Sequence, residues 1–345
     1  MRGQSHVLAV GRRPRGIVRT IISRDRERAQ MTNVLITGGA GFIGRHLADH
    51  LTRLDDVDVT VIDNESLGDR RHLDLGTVRF VHGDLRNRDE LRSALEGQDV
   101  VVHLAADTRV IESIADPGLN FESNVVGTFN LLELGRELGI GRVVAASTGG
   151  AILGDVEPPV HERMAPQPTS PYGASKLMLE GYLSAYASSY DMSTCALRFS
   201  NVYGPRSFHK GSVVAHFYKQ ILAGEKLVVY GDGSQTRDYL YVGDLVEGIW
   251  TAVGSDAQGA FQLGSGKPTT VNQLLDHMRA VTGRDLDVGY QDFRAGEVRD
   301  TWCEISKARA AFGFAPATTL EDGLRRTWEW FSTEPTNRAA EPARS

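Results

Sequence analysis

The sequence has few cysteines, little net charge and no long apolar run, and each shortage excludes a class of protein. Cys195 and Cys303 are the only cysteines among 345 residues, which excludes a small disulfide-stapled fold. We expect both thiols to be reduced and inert. The net charge of −6 provides no general footprint for nucleic acid, and no apolar run reaches the roughly 18 residues of a membrane span. We therefore predict a cytoplasmic protein with no nucleic-acid, membrane or metal partner.

The first 30 residues differ in composition from the rest of the chain. They contain eight arginines and two acidic residues, and Met31 follows them just before the first apolar run. A basic segment of this kind is typical of an organelle-targeting or nucleic-acid-binding arm. It has neither an amphipathic period nor a secretory apolar core. We interpret residues 1–30 as a disordered extension, or as the product of an upstream start codon chosen in place of Met31.

Beyond Met31, short apolar runs alternate with segments of helical period. The runs are rich in valine and continuous, which is typical of strands buried on both faces of a sheet. They are Val34–Thr37, Val59–Asp63, Val78–Gly83, Val100–Ala106, Val143–Ser147 and Thr194–Ser200. One helical face is marked by Ile43, Leu47, Leu51 and Leu54, and a second by Val125, Phe129, Leu132 and Leu138. The alternation predicts an α/β fold with a Rossmann-type, doubly wound parallel sheet.

The second half of the chain predicts a smaller α/β domain, interleaved with the last pieces of the sheet. Its pattern predicts a helix at Val213–Ala223 and a strand at Leu227–Tyr230. Two later helices begin at capping boxes, one pairing Thr270 with Gln273 and the other pairing Thr318 with Glu321. We assign residues 31–200 and 236–265 to the dinucleotide-binding sheet domain, residues 201–235 and 266–335 to a substrate domain, and residues 336–345 to a tail.

Three glycines lie between the first predicted strand and the first predicted helix, in the order Gly38-x-x-Gly41-x-x-Gly44. In that context the first glycine permits a tight turn, the second lets a pyrophosphate approach the backbone, and the third lets the helix pack closely. The free N–H groups and positive dipole end of the helix then favour a phosphate. The alternative is a glycine-rich turn without a ligand, which the flanking strand and helix disfavour.

Asp63 closes the second predicted strand, 19 residues after Gly44. A carboxylate at that spacing accepts hydrogen bonds from the adenosine ribose hydroxyls and repels a 2′-phosphate, which favours NAD over NADP. The alternative is an aspartate that only stabilises a turn. Asp84 follows the third strand, where it is suited either to contact the adenine amino group or to cap a helix.

Tyr172 and Lys176 are four residues apart in SPYGASKLMLEGYL, so they share one face of a helix. A tyrosine with its usual pKa of about 10 is a poor base at neutral pH. A nearby ammonium group and a positive nicotinamide ring both favour the phenolate, and lowering its pKa to about 7 takes about 4 kcal/mol. Lys176 is also placed to hold the nicotinamide ribose. The alternative is a surface pair at chance spacing, which the upstream glycine loop and Ser147–Thr148 disfavour.

Several motifs in sequential order resemble the extended short-chain dehydrogenase/reductase family. They are TGGAGFIG, HLAA, NVVGT, YGASK, RFSNVYGP, RDYLYVGDL and RAGEVRD. The resemblance covers nearly all of the chain from Met31 to Phe331, and its nearest branch is the UDP-glucose 4-epimerases and related nucleotide-sugar epimerases. It implies NAD as the cofactor and a nucleotide sugar, in particular a UDP-sugar, as the substrate.

The resemblance also implies a role for each matching residue, with Tyr172 as the general base and Lys176 as its partner. Residues implied to line the NAD site together with this pair are Gly38, Gly41, Phe42, Ile43, Gly44, Asp63, Asn64, Asp84, Leu85, Leu104, Ala105, Ala106, Asn124 and Phe199. Of these, Asn124 is either a structural or a cofactor-shell residue. Residues implied to surround the nucleotide sugar are Asn201, Val213, Arg237 and Glu297.

Arg237 also suits a diphosphate on chemical grounds, because a guanidinium group pairs with phosphate oxygens. The alternative is a surface ion pair with Asp238 or Asp244. The catalytic hydroxyl departs from the family pattern, since alignment on the trailing glycine puts Gly149 where a serine or threonine is usual. Thr148 is the nearest hydroxyl and is our prediction for the group that assists Tyr172, with Ser147 as the alternative.

The implied reaction is a 4-epimerisation. Tyr172 takes the proton of the C4 hydroxyl while hydride passes from C4 to NAD; the 4-keto sugar rotates, and hydride returns to its opposite face. A 4,6-dehydratase is the alternative enzyme, but it needs a further acid and base, and resembling dehydratases carry an Asp-Glu pair where Gly149 and Gly150 follow Thr148. A non-catalytic NAD-binding sensor is the other alternative, and it has no need of the Tyr172/Lys176 pair.

Two predicted helices offer a surface for a homodimer. The segments Phe121–Glu137 and Gly173–Tyr190 carry apolar faces, and in the resembling enzymes this pair of helices forms a four-helix interface. The alternative is that both faces simply cover the sheet.

Overall fold

The computed structural model describes residues 31–293 and 298–333. The predictions for residues 1–30, for the tail and for Glu297 fall outside these ranges. Within them, seven parallel strands form one sheet in the order β11-β6-β5-β4-β1-β2-β3. The strands are β1 (Thr32–Thr37), β2 (Val57–Asp63), β3 (Val78–His82), β4 (Val100–His103), β5 (Arg142–Thr148), β6 (Ser193–Phe199) and β11 (Gly259–Leu263). The predicted fold class and the six predicted strands are therefore confirmed.

Helices cover both faces of this sheet. They are α1 (Phe42–Leu51), α2 (Arg88–Leu95), α3 (Val110–Ala115), α4 (Pro117–Asn120), a π-helical segment (Phe121–Val126), α5 (Gly127–Leu138), α6 (Pro171–Tyr190), α8 (Val242–Val253) and α10 (Ser306–Phe312). The cores follow the alternation of side chains along β1: Val34 and Ile36 pack with α1, α8 and α10, while Leu35 packs with α2, α5 and α6. This burial on both faces explains why the strand runs are continuously apolar.

A third core belongs to the smaller unit. It contains Tyr218, Leu274 and Phe331 and is built by α7 (Val213–Ala223), α9 (Val271–Thr282), α11 (Leu320–Thr333), β8 (Leu227–Tyr230) and β13 (Val288–Gln291). Short strand pairs lie between the two units, joining β7 (Asn201–Tyr203) to β10 (Tyr239–Tyr241) and β9 (Thr236–Arg237) to β12 (Thr269–Thr270). The predicted helix α7 and strand β8 are confirmed, and the division of the chain into domains stays a prediction.

One of the two predicted capping boxes is confirmed and the other is wrong. The Thr270 hydroxyl accepts a hydrogen bond from Gln273 N at 3.0 Å, and the Gln273 side chain accepts one from Thr270 N at 2.9 Å. At α11 the cap is Thr319, whose hydroxyl accepts from Asp322 N. Thr318 lies one residue before this cap, and its hydroxyl donates to Asp244. The helical period at Phe129 also misleads, since that side chain is exposed.

Cys195 and Cys303 are both free and buried. In the part of the chain that the structure describes, no helix is long and apolar enough to cross a membrane. The same residues contain no cluster of three or more His, Cys, Asp or Glu side chains arranged to hold a metal ion.

Candidate active site at the carboxyl ends of the strands

The loop Gly38–Gly44 joins β1 to α1, and its glycines are required for different reasons. Gly38 has a φ of +68°, and a Cβ on it would lie 2.7 Å from the backbone of Ala105. A Cβ on Gly44 would lie 2.5 Å from the carbonyl oxygen of Gly38. A Cβ on Gly41 would come no nearer than 3.2 Å to that same oxygen. The protein itself therefore constrains Gly41 least, which leaves its surface open to a ligand.

The sequence pattern missed Gly39, where a Cβ would lie 2.6 Å from the side chain of Val61 on β2. This requirement comes from a neighbouring strand and so has no local signal. Helix α1 begins after Gly41, which has no side chain to cap the first-turn N–H groups. An open glycine backbone beside an uncapped helix N-terminus fits a pyrophosphate, as NAD requires.

Asp63 lies at the end of β2 beside this loop. Its carboxylate accepts from Ala40 N at 3.0 Å and from Glu65 N at 2.7 Å, and burial raises its pKa. Asp63 thus stabilises the loop and the following turn through one lone pair on each oxygen, and a second lone pair on each remains for a ribose hydroxyl. The role toward ribose stays a prediction.

Asp84 lies across from Asn64, whose side-chain amide donates to it at 2.9 Å. Arg86 also donates twice to the Asp84 carboxylate, which holds the pKa of that carboxyl well below its usual range. The helix-cap alternative for Asp84 is wrong, because Asn87 caps α2 by accepting from Asp89 N. Asp84 and Asn64 lie together after the ends of adjacent strands, and the contact of Asp84 with adenine stays a prediction.

The segment after β4 is anchored to Thr37, the last residue of β1. Leu104 N donates to the Thr37 carbonyl and Ala105 N to the Thr37 hydroxyl, while Ala106 follows directly. Asn124, in the π-helical segment, accepts from Asp107 N at 2.7 Å and donates to Ser175 of α6 at 3.1 Å. The amide of Asn124 is thus occupied in tying this segment to α6, which favours the structural alternative. The remaining predicted cofactor residues are the buried Phe42 and Leu85 and the half-buried Ile43 and Phe199.

Tyr172 and Lys176 occupy the first two turns of α6. Ser170 caps this helix, and the Tyr172 N–H donates to the hydroxyl of Ser113, a contact that local sequence did not indicate. The buried Lys176 ammonium donates to the Ala146 carbonyl of β5 at 3.0 Å. No hydrogen bond to the Tyr172 hydroxyl is made by the residues that the structure describes. That hydroxyl is therefore available to a substrate.

The pKa of Tyr172 is raised in the protein alone, whereas a general base at neutral pH requires a lowered one. Burial raises the pKa of Tyr172 to about 12, and burial lowers the pKa of Lys176 to about 8, with Glu180 acting in the opposite direction. In the protein alone, burial is the cause that raises the pKa of Tyr172. Lowering the Tyr172 pKa thus depends on a further positive charge, which the nicotinamide ring of NAD carries.

The two candidate hydroxyls lie on opposite faces of β5. The Ser147 hydroxyl is buried and donates to Glu180 of α6 at 2.6 Å. Thr148 is half-buried, and its hydroxyl accepts a long 3.4 Å bond from Ala151 N. A Cβ on Gly149 would lie 3.1 Å from both the Gln262 side chain and the Phe199 carbonyl. A side chain at Gly149 would thus be tightly packed, and because the Ser147 hydroxyl is bonded to Glu180, Thr148 is the favoured hydroxyl.

The predicted sugar-nucleotide residues are spread over the second unit. The Arg237 guanidinium donates to the carbonyls of Val298 at 2.9 Å and Arg299 at 2.7 Å. Arg237 forms an ion pair with neither Asp238 nor Asp244. Asp238 instead accepts from Ser265, and Asp244 accepts from Thr318. Asn201 is exposed on β7, and Val213 begins α7. Their roles toward a nucleotide sugar stay predictions.

Comparison with known proteins agrees with this geometry. The model of the NAD dependent epimerase/dehydratase family matches residues 34–264, more than half of the chain. A UDP-glucose 4-epimerase from Mycolicibacterium smegmatis is 35% identical over 306 residues, which cover 86% of this chain and 97% of that protein.

Solved structures are similar over the same region. The UDP-glucose 4-epimerase of Thermotoga maritima, solved with UDP-glucose, has a TM-score of 0.84 and 36% identity, covering 87% of this chain and 99% of that one. A dTDP-glucose 4,6-dehydratase from Streptomyces venezuelae, solved with NAD, has a TM-score of 0.80 and 32% identity, covering 87% and 97%. Similarity in fold alone therefore leaves the choice of reaction to the residues of the site.

Proposed function

Because the chain belongs to the NAD-dependent epimerase/dehydratase family, we propose that it is an NAD-dependent 4-epimerase of a nucleotide sugar, in particular of a UDP-sugar. The observation that carries this proposal is the Tyr172/Lys176 pair on α6, with Lys176 bonded to β5 two residues before Thr148, a hydroxyl followed by two glycines. Relatives in sequence and structure are named as UDP-glucose 4-epimerases, which supports the same reaction for this chain.

The described residues fit NAD, and each acts on a different part of the reaction. Bound at the loop Gly38–Gly44, NAD supplies the acceptor and donor of hydride. Tyr172 takes the proton of the C4 hydroxyl and would return it to the C4 oxygen when hydride is delivered to the opposite face of that carbon. The Lys176 ammonium, held by Ala146, favours the phenolate of Tyr172, and Thr148 donates to the sugar oxygen. Asp63 holds the adenosine ribose.

The residues after Thr148 favour epimerisation over 4,6-dehydration. Elimination of water across C5 and C6 requires an acid and a base in addition to Tyr172. Gly149 and Gly150 carry neither, and a Cβ on Gly149 would lie 3.1 Å from the Phe199 carbonyl, a tight contact. The chain therefore has no proton donor at the position where the resembling dehydratases carry one.

Product analysis decides between the two reactions. The NAD-loaded protein is incubated with a panel of UDP- and dTDP-sugars, including glucose, galactose, their N-acetyl forms and UDP-glucuronate, and the products are separated. We expect equilibration between C4 epimers of a UDP-sugar with no net formation of NADH. A 4-keto-6-deoxy product would assign the chain to the dehydratases. NAD binding without conversion of any sugar would favour the alternative of a non-catalytic NAD-binding sensor.

Substitution of the two hydroxyls distinguishes their roles. Thr148→Val keeps the shape of the side chain, and we expect kcat to fall by about 10²–10³-fold, as for loss of a donor to a developing oxyanion. Ser147→Ala removes only a bond to Glu180, and we expect a much smaller fall. Steady-state kinetics on the preferred sugar measure both. A larger loss in Ser147→Ala than in Thr148→Val would reverse the assignment.

We also propose that the protein is a cytoplasmic homodimer. The side chains of Phe121, Phe129, Tyr182 and Tyr190 are exposed on α6 and the helices beside it, and the rings of Phe129 and Tyr182 contact each other edge to face. An exposed apolar patch of this kind supports a protein interface, which the mass of the assembly in solution tests. The free thiols of Cys195 and Cys303 support a reducing compartment.

A further inference from the structure

A buried ion pair lies one helical turn beyond the proposed catalytic lysine, and the reaction steps above do not use it. Arg198 of β6 donates to both oxygens of the Glu180 carboxylate, each at 2.8 Å. The Arg198 side chain is 4% exposed and that of Glu180 is 11% exposed. Burial of an ion pair carries a desolvation cost, so its position beside reactive groups calls for a functional explanation.

The backbone places this pair in direct relation to Lys176. Glu180 follows Lys176 by four residues and therefore lies on the same face of α6. The two turns of α6 that carry Lys176 and Glu180 contact consecutive residues of β5. The Ala146 carbonyl accepts from Lys176, and the Ser147 hydroxyl donates to Glu180 at 2.6 Å. The carboxylate is thus held from β5 and from β6, one helical turn along α6 from Lys176.

The charged groups around Lys176 leave Glu180 as its source of attraction. His103 of β4 is buried between Thr37 and Thr128, and burial lowers its pKa to about 3, so it is neutral at pH 7. The other titratable residues on the elements packed against α6 are Glu112 on α3, Glu122 on the π-helical segment, Glu133, Arg136 and Glu137 on α5, Arg142 on β5, and Cys195 and Arg198 on β6. Among the described residues, Glu180 is the one carboxylate whose charge favours protonated Lys176.

We propose that Glu180 is a positioning residue that keeps Lys176 charged and in place, with Arg198 and Ser147 fixing the carboxylate. This inference rests on the proposed function, since it concerns the lysine that assists Tyr172. Burial lowers the pKa of Lys176 to about 8, and the Glu180 carboxylate opposes that effect. Removal of the carboxylate lowers the pKa further, so the ammonium group is lost at a lower pH. The alkaline limb of kcat then moves to lower pH.

The test compares pH profiles of kcat and KM in NAD-loaded variants. In Glu180→Gln we expect the alkaline limb to move down by roughly 1 to 3 pH units, the range for loss of a nearby opposite charge, with little change in KM. Glu180→Gln/Arg198→Gln removes both members of the ion pair, so it leaves no unpaired buried charge, and the limb is expected to move in the same direction. Glu180→Asp keeps the charge, and its limb is expected near that of the wild type.

Glu133→Gln is the matched control. Glu133 also accepts a hydrogen bond from α6, but from Tyr186, which lies about 15 Å beyond Lys176 along the helix. Its limb is expected to coincide with that of the wild type.

Three outcomes separate this inference from the function on which it rests. An unmoved alkaline limb in an active, folded Glu180→Gln variant or in the double variant overturns the role of Glu180 alone. Failure of both variants to fold, with Glu180→Asp fully active, would assign Glu180 to stability and also overturn it. Failure of the wild-type protein to epimerise any sugar in the panel would contradict the proposed function instead.

Discussion

Replacement of Tyr172 by phenylalanine is expected to lower kcat for epimerisation by about 10²–10⁴-fold, the range for loss of a general base. The substitution keeps the ring and removes only the hydroxyl, to which no described residue makes a hydrogen bond. Folding and NAD binding are therefore expected to be retained. The measurement is the initial rate of epimer formation, with the NAD content and the melting temperature of the same preparation.

Tyr182→Phe provides the matched control on the same helix. Its side chain is exposed and lies more than two turns from Tyr172 on α6. Its activity is expected to equal that of the wild type. If Tyr172→Phe epimerises at the wild-type rate, Tyr172 is not the base, and the assignment of the catalytic pair is wrong.

Replacement of Gly44 by alanine is expected to have the largest effect on the cofactor site. The new Cβ would lie 2.5 Å from the Gly38 carbonyl oxygen and 2.5 Å from the Gly39 Cα. These are backbone atoms that cannot swing aside, so α1 must move away from the loop. We expect the free energy of unfolding to fall by about 1–3 kcal/mol, as for an overpacked core, and NAD binding to be lost. Denaturant unfolding and NAD titration measure the two effects.

Two further glycines separate strain in the protein from a clash with the ligand. Gly41→Ala meets the protein at 3.2 Å, so it is expected to leave stability nearly unchanged and to weaken NAD binding. Gly181→Ala, on an exposed part of α6 with no atom within 4 Å of the new Cβ, is expected to raise stability by about 0.5–1 kcal/mol. Wild-type stability and NAD affinity in Gly44→Ala would contradict the proposed geometry of the loop.

The sheet and the loop were predictable because their signals are local. A strand buried on both faces has to be apolar without alternation, and the runs of β1, β4 and β5 meet this condition, whereas the edge strand β3 carries the exposed Arg79. Glycine spacing between a strand and a helix likewise reports a backbone requirement within seven residues, as the φ of Gly38 shows. The spacing of Tyr172 and Lys176 fixes a common helical face in the same way.

The rest of the site depends on contacts between distant segments. Arg237 finds its partners in the carbonyls of Val298 and Arg299, about 60 positions later, and no local pattern reports them. The need for glycine at position 39 likewise comes from a distant residue, Val61. The Thr318 hydroxyl is bonded by Asp244, which is also distant in sequence. Two features of the sequence also indicate parts of the site. Alternation along β5 separates Ser147 from Thr148, and the four-residue spacing from Lys176 points to Glu180.

The last three residues of β5 serve three different partners, and this has a consequence for how the chain can vary in length. The Ala146 carbonyl accepts from Lys176, the Ser147 hydroxyl donates to Glu180, and Thr148 is the hydroxyl that we propose for the substrate. Because side chains alternate along a strand, inserting or deleting one residue within β5 would exchange the buried and the open hydroxyl and displace the lysine anchor at once. We therefore expect differences in length among homologues to fall in the loops on either side of β5 rather than within the strand.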